Sequence, residues 1–318
     1  VNKSSGTVSA TGWLLVVIAA MTWGLDIVFR SPLTKAGVDP GLIVFGEHLV
    51  LTITFMPVLI KNFVHFRRLT GRQWCALLYV AWGASAVATW LYTMAFVYGP
   101  PLSAILLQKT QPLFALALAP VVLGEKRHRF FWPLAGVAVF GAYLLALGWV
   151  SPIKALHGSG LTSATLALIA SFLWGVGTVA GRGLSKVLPP TTLAAGRFAL
   201  ALPLLGAWLL IHPSSTETMR FASPKLFLDW LAMAAIPGIA GMTIYYYGIK
   251  TTPASIATLA ELAYPATALI AGYLLLNQRL NSVQIFGLLV LIVAIQQIAS
   301  RKTVETDTHP ETVYVTVT

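Results

Sequence analysis

The sequence predicts an all-α integral membrane protein, with ten transmembrane helices arranged as two inverted repeats of five. Three observations predict it: a composition that only lipid can solvate, ten apolar runs of bilayer length, and landmarks that recur at fixed spacing in the two halves. Of 318 residues, 57% are hydrophobic and 10% are charged. An average soluble domain carries roughly 25% charged residues, and a surface this poor in charge is stable only against hydrocarbon. The formal charge of +11 falls in short clusters between apolar runs, which fits membrane topology and not nucleic-acid binding. A single cysteine, Cys75, excludes an intramolecular disulfide framework and a CxxC metal site. No signal-peptide cleavage pattern is evident, and the first run is long enough to stay as a span.

A helix needs about 20 apolar residues to cross the hydrocarbon core. The qualifying runs are 12–29, 41–60, 74–97, 102–123 and 130–148 in the first half, then 161–181, 190–211, 226–249, 254–276 and 283–300 in the second. This divides the chain into a short N-terminal segment (1–11), a first five-helix unit (12–149), a linker holding Lys154 and His157 (150–160), a second unit (161–300) and a polar tail (301–318). The Thr/Val alternation from Thr312 to Thr318 suits a strand, but an isolated terminal segment is expected to be disordered. With the N-terminus inside, 13 Lys and Arg lie in inside segments and 6 in outside segments, Arg30 and Lys35 among the latter. The positive-inside rule then places both termini in the cytoplasm.

The repeat is read from landmarks in register. Pro100, Pro112 and Gly124 stand twelve apart, and so do Pro253, Pro265 and Asn277. Tyr92 precedes Pro100 by eight residues, as Tyr245 precedes Pro253. Ala20-Met21-Thr22-Trp23-Gly24 parallels Ser171-Phe172-Leu173-Trp174-Gly175, and Gly46-Glu47 parallels Gly196-Arg197. Several landmarks in one order imply a duplicated unit. An odd number of spans per unit forces the second copy to enter the membrane from the opposite side. Inverted repeats of this kind are a transporter architecture, with the substrate at the repeat interface near mid-membrane and two states of similar energy.

These residues resemble the drug/metabolite transporter superfamily, specifically its ten-span bacterial EamA-like carriers. The resemblance rests on Trp23-Gly24, Trp174-Gly175, Arg197-Phe198, and the text Leu107-Gln108-Lys109-Thr110-Gln111-Pro112-Leu113-Phe114 closing on Leu123-Gly124-Glu125-Lys126, with its counterpart around Pro265. It covers about residues 12–300. It implies a basket of helices around a central cavity in the bacterial inner membrane, exporting amino acids or related small metabolites. Glu47-His48 departs from the Arg-Phe that such carriers often have at this place, as at Arg197-Phe198.

A charge at the bilayer centre costs roughly 2.5–3.5 kcal/mol on insertion scales, so the charges within spans are the candidate site. They are Asp26, Glu47, Lys109, Arg197 and Glu261, with Asp229 at the interface. Glu47 and Arg197 hold equivalent positions and are expected to face each other or the same cavity. Lys109 or Arg197 suits an anionic group of the substrate. Glu47 or Glu261 suits an ammonium group or a coupling proton, since a carboxylate in a low dielectric holds a proton more readily. The competing reading makes each of them a structural salt bridge that pins helices. Asp26 and Arg30, at i and i+4, read as a local pair or an interfacial charge. His48 reads as a hydrogen-bonding residue or a proton relay.

Trp23 and Trp174 lie deepest among the aromatics and suit a pocket lining better than Trp90, Tyr245, Tyr246 and Tyr247, which compete with a role as interfacial anchors. Gln108, Gln111 and Tyr264 complete the candidate substrate-binding set. Pro112 and Pro265 remove backbone donors inside spans and free carbonyls there. Gly177 and Gly181 allow close helix packing. The text Gly175-Val-Gly177-Thr-Val-Ala180 imitates a dinucleotide fingerprint without a preceding strand, so no cofactor is expected. GxSxG, HExxH and Walker motifs are absent, which places an intramembrane lipid-modifying enzyme behind a carrier. Within carriers, the expected substrate is zwitterionic or anionic. An importer and a multidrug or sugar-derivative carrier are the alternatives.

Overall fold

The computed structural model describes residues 10–123, 130–150, 159–212, 223–249, 260, 261 and 263–306, and every regular element among them is helical. In chain order these are α1 (Ala10–Gly24), α2 (Asp26–Lys35), α3 (Pro40–Lys61), α4 (Phe63–Arg67), α5 (Gly71–Tyr79), α6 (Ala88–Tyr98), α7 (Pro101–Leu107), α8 (Gln111–Leu123) and α9 (Phe131–Leu147). The second half contains α10 (Ser159–Leu184), α11 (Pro190–Ile211), α12 (Pro224–Met233), α13 (Met242–Ile249), α14 (Ala263–Leu276) and α15 (Ser282–Thr306). Among the described residues, seven helices are long and apolar enough to cross a bilayer: Gly12–Lys35, Pro40–Lys61, Gly71–Tyr98, Pro101–Val122, Gly160–Leu184, Pro190–Ile211 and Pro224–Tyr245. Three shorter apolar helices accompany them, Phe131–Leu147, Ala263–Leu276 and Ser282–Ile298. The motif residues 124–126, Pro253, the charges Lys3, Arg127, Arg129, Lys154, Arg220 and Lys250, together with His157, residues 254–259 and the 312–318 alternation, lie outside the described residues.

Local chemistry sets the helix ends. Pro40 opens α3 behind Asp39, whose Oδ1 accepts from Gly41 N and Leu42 N at 2.7 and 3.1 Å. Thr70 and Gln73 form a capping box at α5, and Asn281 and Gln284 exchange the same pair of bonds at α15. Wide π-helical turns interrupt two spans, over Val80–Val87 and Ala234–Gly241. Pro237 lies in the second of these and cannot donate to the preceding turn. A tight 3₁₀ turn at Gln108–Thr110 precedes α8, because Pro112 has no N–H to offer the Gln108 carbonyl; Gln111 N–H takes that carbonyl instead. Tyr264 N–H bonds the Glu261 carbonyl in the same way, just before Pro265.

The first span runs further than expected. It continues through Arg30 to Lys35 with a single irregular residue at Leu25. Arg30 therefore leaves the outside loop in which the charge count placed it, and is buried at 2% exposure. With Arg30 included, the intramembrane charges number three of each sign. The last helix continues to Thr306, beyond the boundary expected at Ser300.

Helix pairing is reciprocal between the halves. α1 packs on α13 and α14, while α10 packs on α6 and α8; α3 packs on α11, and α9 on α15. Two of the glycines that allow these contacts, Gly24 and Gly175, sit at aligned positions. A Cβ on Gly24 would meet Tyr264 O, Thr267 Cβ and Ala268 N at 2.6–3.1 Å. One on Gly175 would meet Gln111 O, Phe114 Cβ and Ala115 N at 2.7–3.1 Å, each 153 residues earlier in the chain. Where α9 crosses α15, Gly141 would meet Leu291 N at 2.6 Å and Gly287 would meet Leu145 N at 2.6 Å. Small residues bring these backbones together, the usual device of helix association in lipid. Gly141→Leu is expected to destabilise the fold by about 1–3 kcal/mol, because a backbone neighbour cannot rotate aside. Gly136→Ala on the same helix, with nothing within 4 Å, is the neutral control in a detergent melting experiment.

Candidate functional site

Asp26 and Arg30 stand one turn apart on α2. Arg30 Nε and Nη2 donate to Asp26 Oδ2 and Oδ1 at 2.8 and 2.9 Å, a bidentate pair. Nη2 also reaches Glu47 Oε2 on α3 at 3.0 Å, and Nη1 donates to Thr93 Oγ1 on α6 at 2.8 Å. The guanidinium lies 5.5 Å from the centroid of the Tyr92 ring. Of the two readings of Asp26 and Arg30, the local pair is seen and the interfacial charge is corrected: the pair is buried and organises three helices. Glu47 and Arg197, expected to face each other or the same cavity, take different hydrogen-bond partners. Arg30, on the neighbouring helix, takes the Glu47 carboxylate, whereas Arg197 Nε donates to Ser85 Oγ at 2.6 Å within the first π-helical segment. The Glu47-His48 departure thus has a local cause, since the acid at 47 neutralises an arginine at 30 where the second half has Gly181. Asp229 pairs with exposed Lys225 at 3.0 Å at the start of α12.

His48 is buried beside Glu47. Its Nδ1 bonds the Val44 carbonyl at 2.9 Å, its ring meets Phe198 edge-on at 5.6 Å, and Nε2 has no hydrogen-bond partner among the described residues. That arrangement suits helix packing.

Deeper in the membrane, aromatic rings pair across the halves. Trp23 of α1 meets Tyr245 of α13 at 5.0 Å, and Trp174 of α10 meets Tyr92 of α6 at 5.3 Å. The two pairs occupy aligned positions, each a tryptophan from one half against a tyrosine from the other. Tyr245 OH donates to Glu261 Oε1 at 2.9 Å. Tyr264 OH contacts both the Ile105 carbonyl and Gln108 Oε1. The Lys109 ammonium lies 4.1 Å above the Tyr264 ring, close enough to Glu261 to be attracted by it. No carboxylate among the described residues comes within ion-pair distance of Lys109. Gln111 Nε2 donates to Thr178 Oγ1 at 3.0 Å, which ties the fourth span to α10.

The structure therefore gathers Trp23, Gln108, Lys109, Trp174, Glu261 and Tyr264 with Tyr92 and Tyr245. It places Glu47 one layer away with Arg30, and Arg197 beside Ser85. Trp90 meets Trp208 at 4.9 Å with the rings tilted by 55°, apart from this group, and Tyr247 is exposed. Sequence reasoning missed Arg30, Thr93, Tyr92 and Ser85 as site residues. The i, i+4 acid–base pair was a usable signal for the first, and the register of Tyr92 with Tyr245 for the third; Thr93 and Ser85 carry none without the fold.

The EamA-like transporter family model matches residues 10–147 and again residues 161–299. The chain belongs to the EamA-like transporter family. It is a multi-pass membrane transporter of small molecules and not an enzyme. Among EamA-like relatives, the riboflavin transporter ImpX of Fusobacterium nucleatum is 28% identical over 299 residues, covering 91% of this chain and 97% of that protein. A riboflavin transporter of Rhizobium johnstonii is 25% identical over 203 residues, 64% of each chain. An uncharacterized transporter of Clostridium kluyveri is 22% identical over 291 residues, 89% of this chain and 91% of that one. A solved protein crystal structure shares the fold at TM-score 0.58 and 17% identity, over 94% of this chain and 99% of its own.

Proposed function

We propose that this EamA-like chain is an alternating-access secondary transporter that binds a planar heteroaromatic metabolite of the flavin class between the Trp23–Tyr245 and Trp174–Tyr92 pairs. The observation that carries this reading is that each half sets a tryptophan against a tyrosine of the other, with Gln108, Lys109 and Glu261 in the polar contacts around them. A flat ring gains by stacking on aromatic faces, and its edge carbonyl and N–H groups need donors and acceptors. Lys109 and Gln108 supply donors; Glu261 is an acceptor and a candidate coupling-proton carrier. Two relatives named as riboflavin transporters support the same class.

The ten-span, inverted-repeat architecture belongs to this proposal: two units over 12–149 and 161–300, joined by 150–160, in the inner membrane with both termini cytoplasmic. Support comes from the twofold family match, the reciprocal helix pairing, the aligned glycine contacts and the π-helical turns at corresponding places in the third span of each half.

A second reading, export of amino acids or related zwitterions, is favoured by the opposed charges of Lys109 and Glu261. Proteoliposome counterflow separates the two. Vesicles preloaded with riboflavin are expected to accumulate labelled riboflavin saturably, and vesicles preloaded with amino-acid pools are expected to give no exchange. Exchange of amino acids without riboflavin would replace the flavin reading, and sided uptake in the same vesicles reports direction.

A further inference from the structure

The ion cluster at Arg30 breaks the symmetry of its surroundings. Asp26, Arg30, Glu47 and Thr93 align with Gly177, Gly181, Arg197 and Tyr246 in the second half. None of the polar bonds around Arg30 is therefore available at the aligned place. Among the described residues, none comes within 4 Å of a Cβ added at Gly181, the position that corresponds to Arg30.

The cluster also sits where the two packing groups meet. α1 goes with α13 and α14, and α10 goes with α6 and α8. Arg30 belongs to the first span, so its bond to Thr93 and its approach to Tyr92 reach into the second group. Other closures occur at the same end, where α2 finishes, α3 begins and α6 finishes. Leu102 N donates to Gln278 Oε1 at 2.7 Å, and Gly272 packs against Leu102 and Ile27. By contrast, α10 and α13, the aligned counterparts of the first and third spans, do not pack closely among the described residues.

We propose that Asp26, Arg30, Glu47 and Thr93 form a one-sided ionic latch that holds the carrier shut at the face of residues 36–39. The proposal rests on the alternating-access reading. The two carboxylates hold the guanidinium in place on α2 and α3, and Thr93 is the contact that must break for the two groups to separate. Because the aligned positions, with Gly177 and Gly181 for Asp26 and Arg30, cannot repeat this latch, the two states are unequal, and the state closed at the 36–39 face is the resting one. Arg30 is a positioning residue: it touches no substrate and acts through the gate.

The test reads accessibility without substrate. Gln108→Cys in a Cys75→Ser background is labelled with a membrane-impermeant methanethiosulfonate in membrane vesicles of either orientation. With the latch intact, labelling is expected to be slow from the 36–39 face and faster from the other. The triple variant D26N/R30M/E47Q removes the charges together, and is expected to speed labelling from the 36–39 face at least tenfold while slowing it from the opposite face. Thr93→Val, which removes the bond between the groups together with Thr93's own bond to the Thr89 carbonyl, is expected to move both rates in the same directions by a smaller factor, and it decides the matter if the triple variant does not fold. Unchanged rates from both faces in folded protein would overturn the latch, as would equal labelling from both faces with the latch intact. Riboflavin counterflow is read separately in the protein with Gln108 intact: its absence there, alongside faster labelling of the latch variants from the 36–39 face, would sink the flavin reading and leave the latch standing.

Discussion

Arg30→Met is expected to abolish most of the folded protein, and the triple replacement D26N/R30M/E47Q to restore it. Arg30 is 2% exposed and gives four hydrogen bonds, two to Asp26, one to Glu47 and one to Thr93. Removing it alone leaves two carboxylates close together with 12% and 13% of their side-chain surface exposed. Breaking one partner of a buried ion pair costs about 3–5 kcal/mol, because the remaining charge is left uncompensated. Replacing every member with a neutral residue of similar shape avoids that penalty, since the pair's own attraction only roughly offsets its desolvation. The check is detergent-extracted yield and melting temperature for the two proteins side by side. A single variant as stable as the unmodified protein would mean that the Arg30 cluster is not what compensates Asp26 and Glu47.

Trp23→Ala and Trp174→Ala are each expected to weaken riboflavin transport by about 10- to 100-fold, and to do so equally. A flat heterocycle stacked on an aromatic side chain gains about 1–3 kcal/mol, and 1.4 kcal/mol is a factor of ten in affinity. The two tryptophans occupy aligned places, each against a tyrosine of the other half at 5.0 and 5.3 Å, so neither is expected to dominate. Trp→Phe at either position keeps a ring and is expected to recover most of the loss. The measurement is the concentration dependence of counterflow with protein amount and melting temperature matched. An alanine variant with unaltered half-saturation would remove its tryptophan from the binding surface. Lys109→Met, which deletes an ammonium with no ion-pair partner among the described residues, is expected to alter half-saturation without lowering the melting temperature. A structural cation would show the reverse.

Much of this was legible in the chain because it depends on local or periodic properties. Apolar run length marks a span whatever it packs against, and the spacing of Pro112 and Pro265, Trp23 and Trp174, and Tyr92 and Tyr245 survives in one dimension. Gln108, Lys109 and Glu261 stood out because charge and amide groups are costly inside a bilayer. Pro112 predicted its own disturbed turn, since a missing N–H is a covalent fact.

Partner choice was not legible. A carboxylate at 47 and a guanidinium at 197 look complementary by alignment, yet charges pair by distance in space, and α2 brings Arg30 to Glu47 first. Arg30 itself read as a loop residue because hydropathy scores a lone arginine as exposed. Only the packed structure shows two acids that neutralise it. The wide turn carrying Ser85 to Arg197, and the lack of a described neighbour within 4 Å of a Cβ at Gly181, likewise belong to the assembled helices. The sequence by itself determined the lipid-solvated helical class, the paired landmarks and the residue types of the centre, because solvation and covalent geometry act residue by residue. The tertiary structure alone decided which charge meets which, and that the Arg30 cluster joins helices of both packing groups, because both depend on distances that no linear spacing encodes.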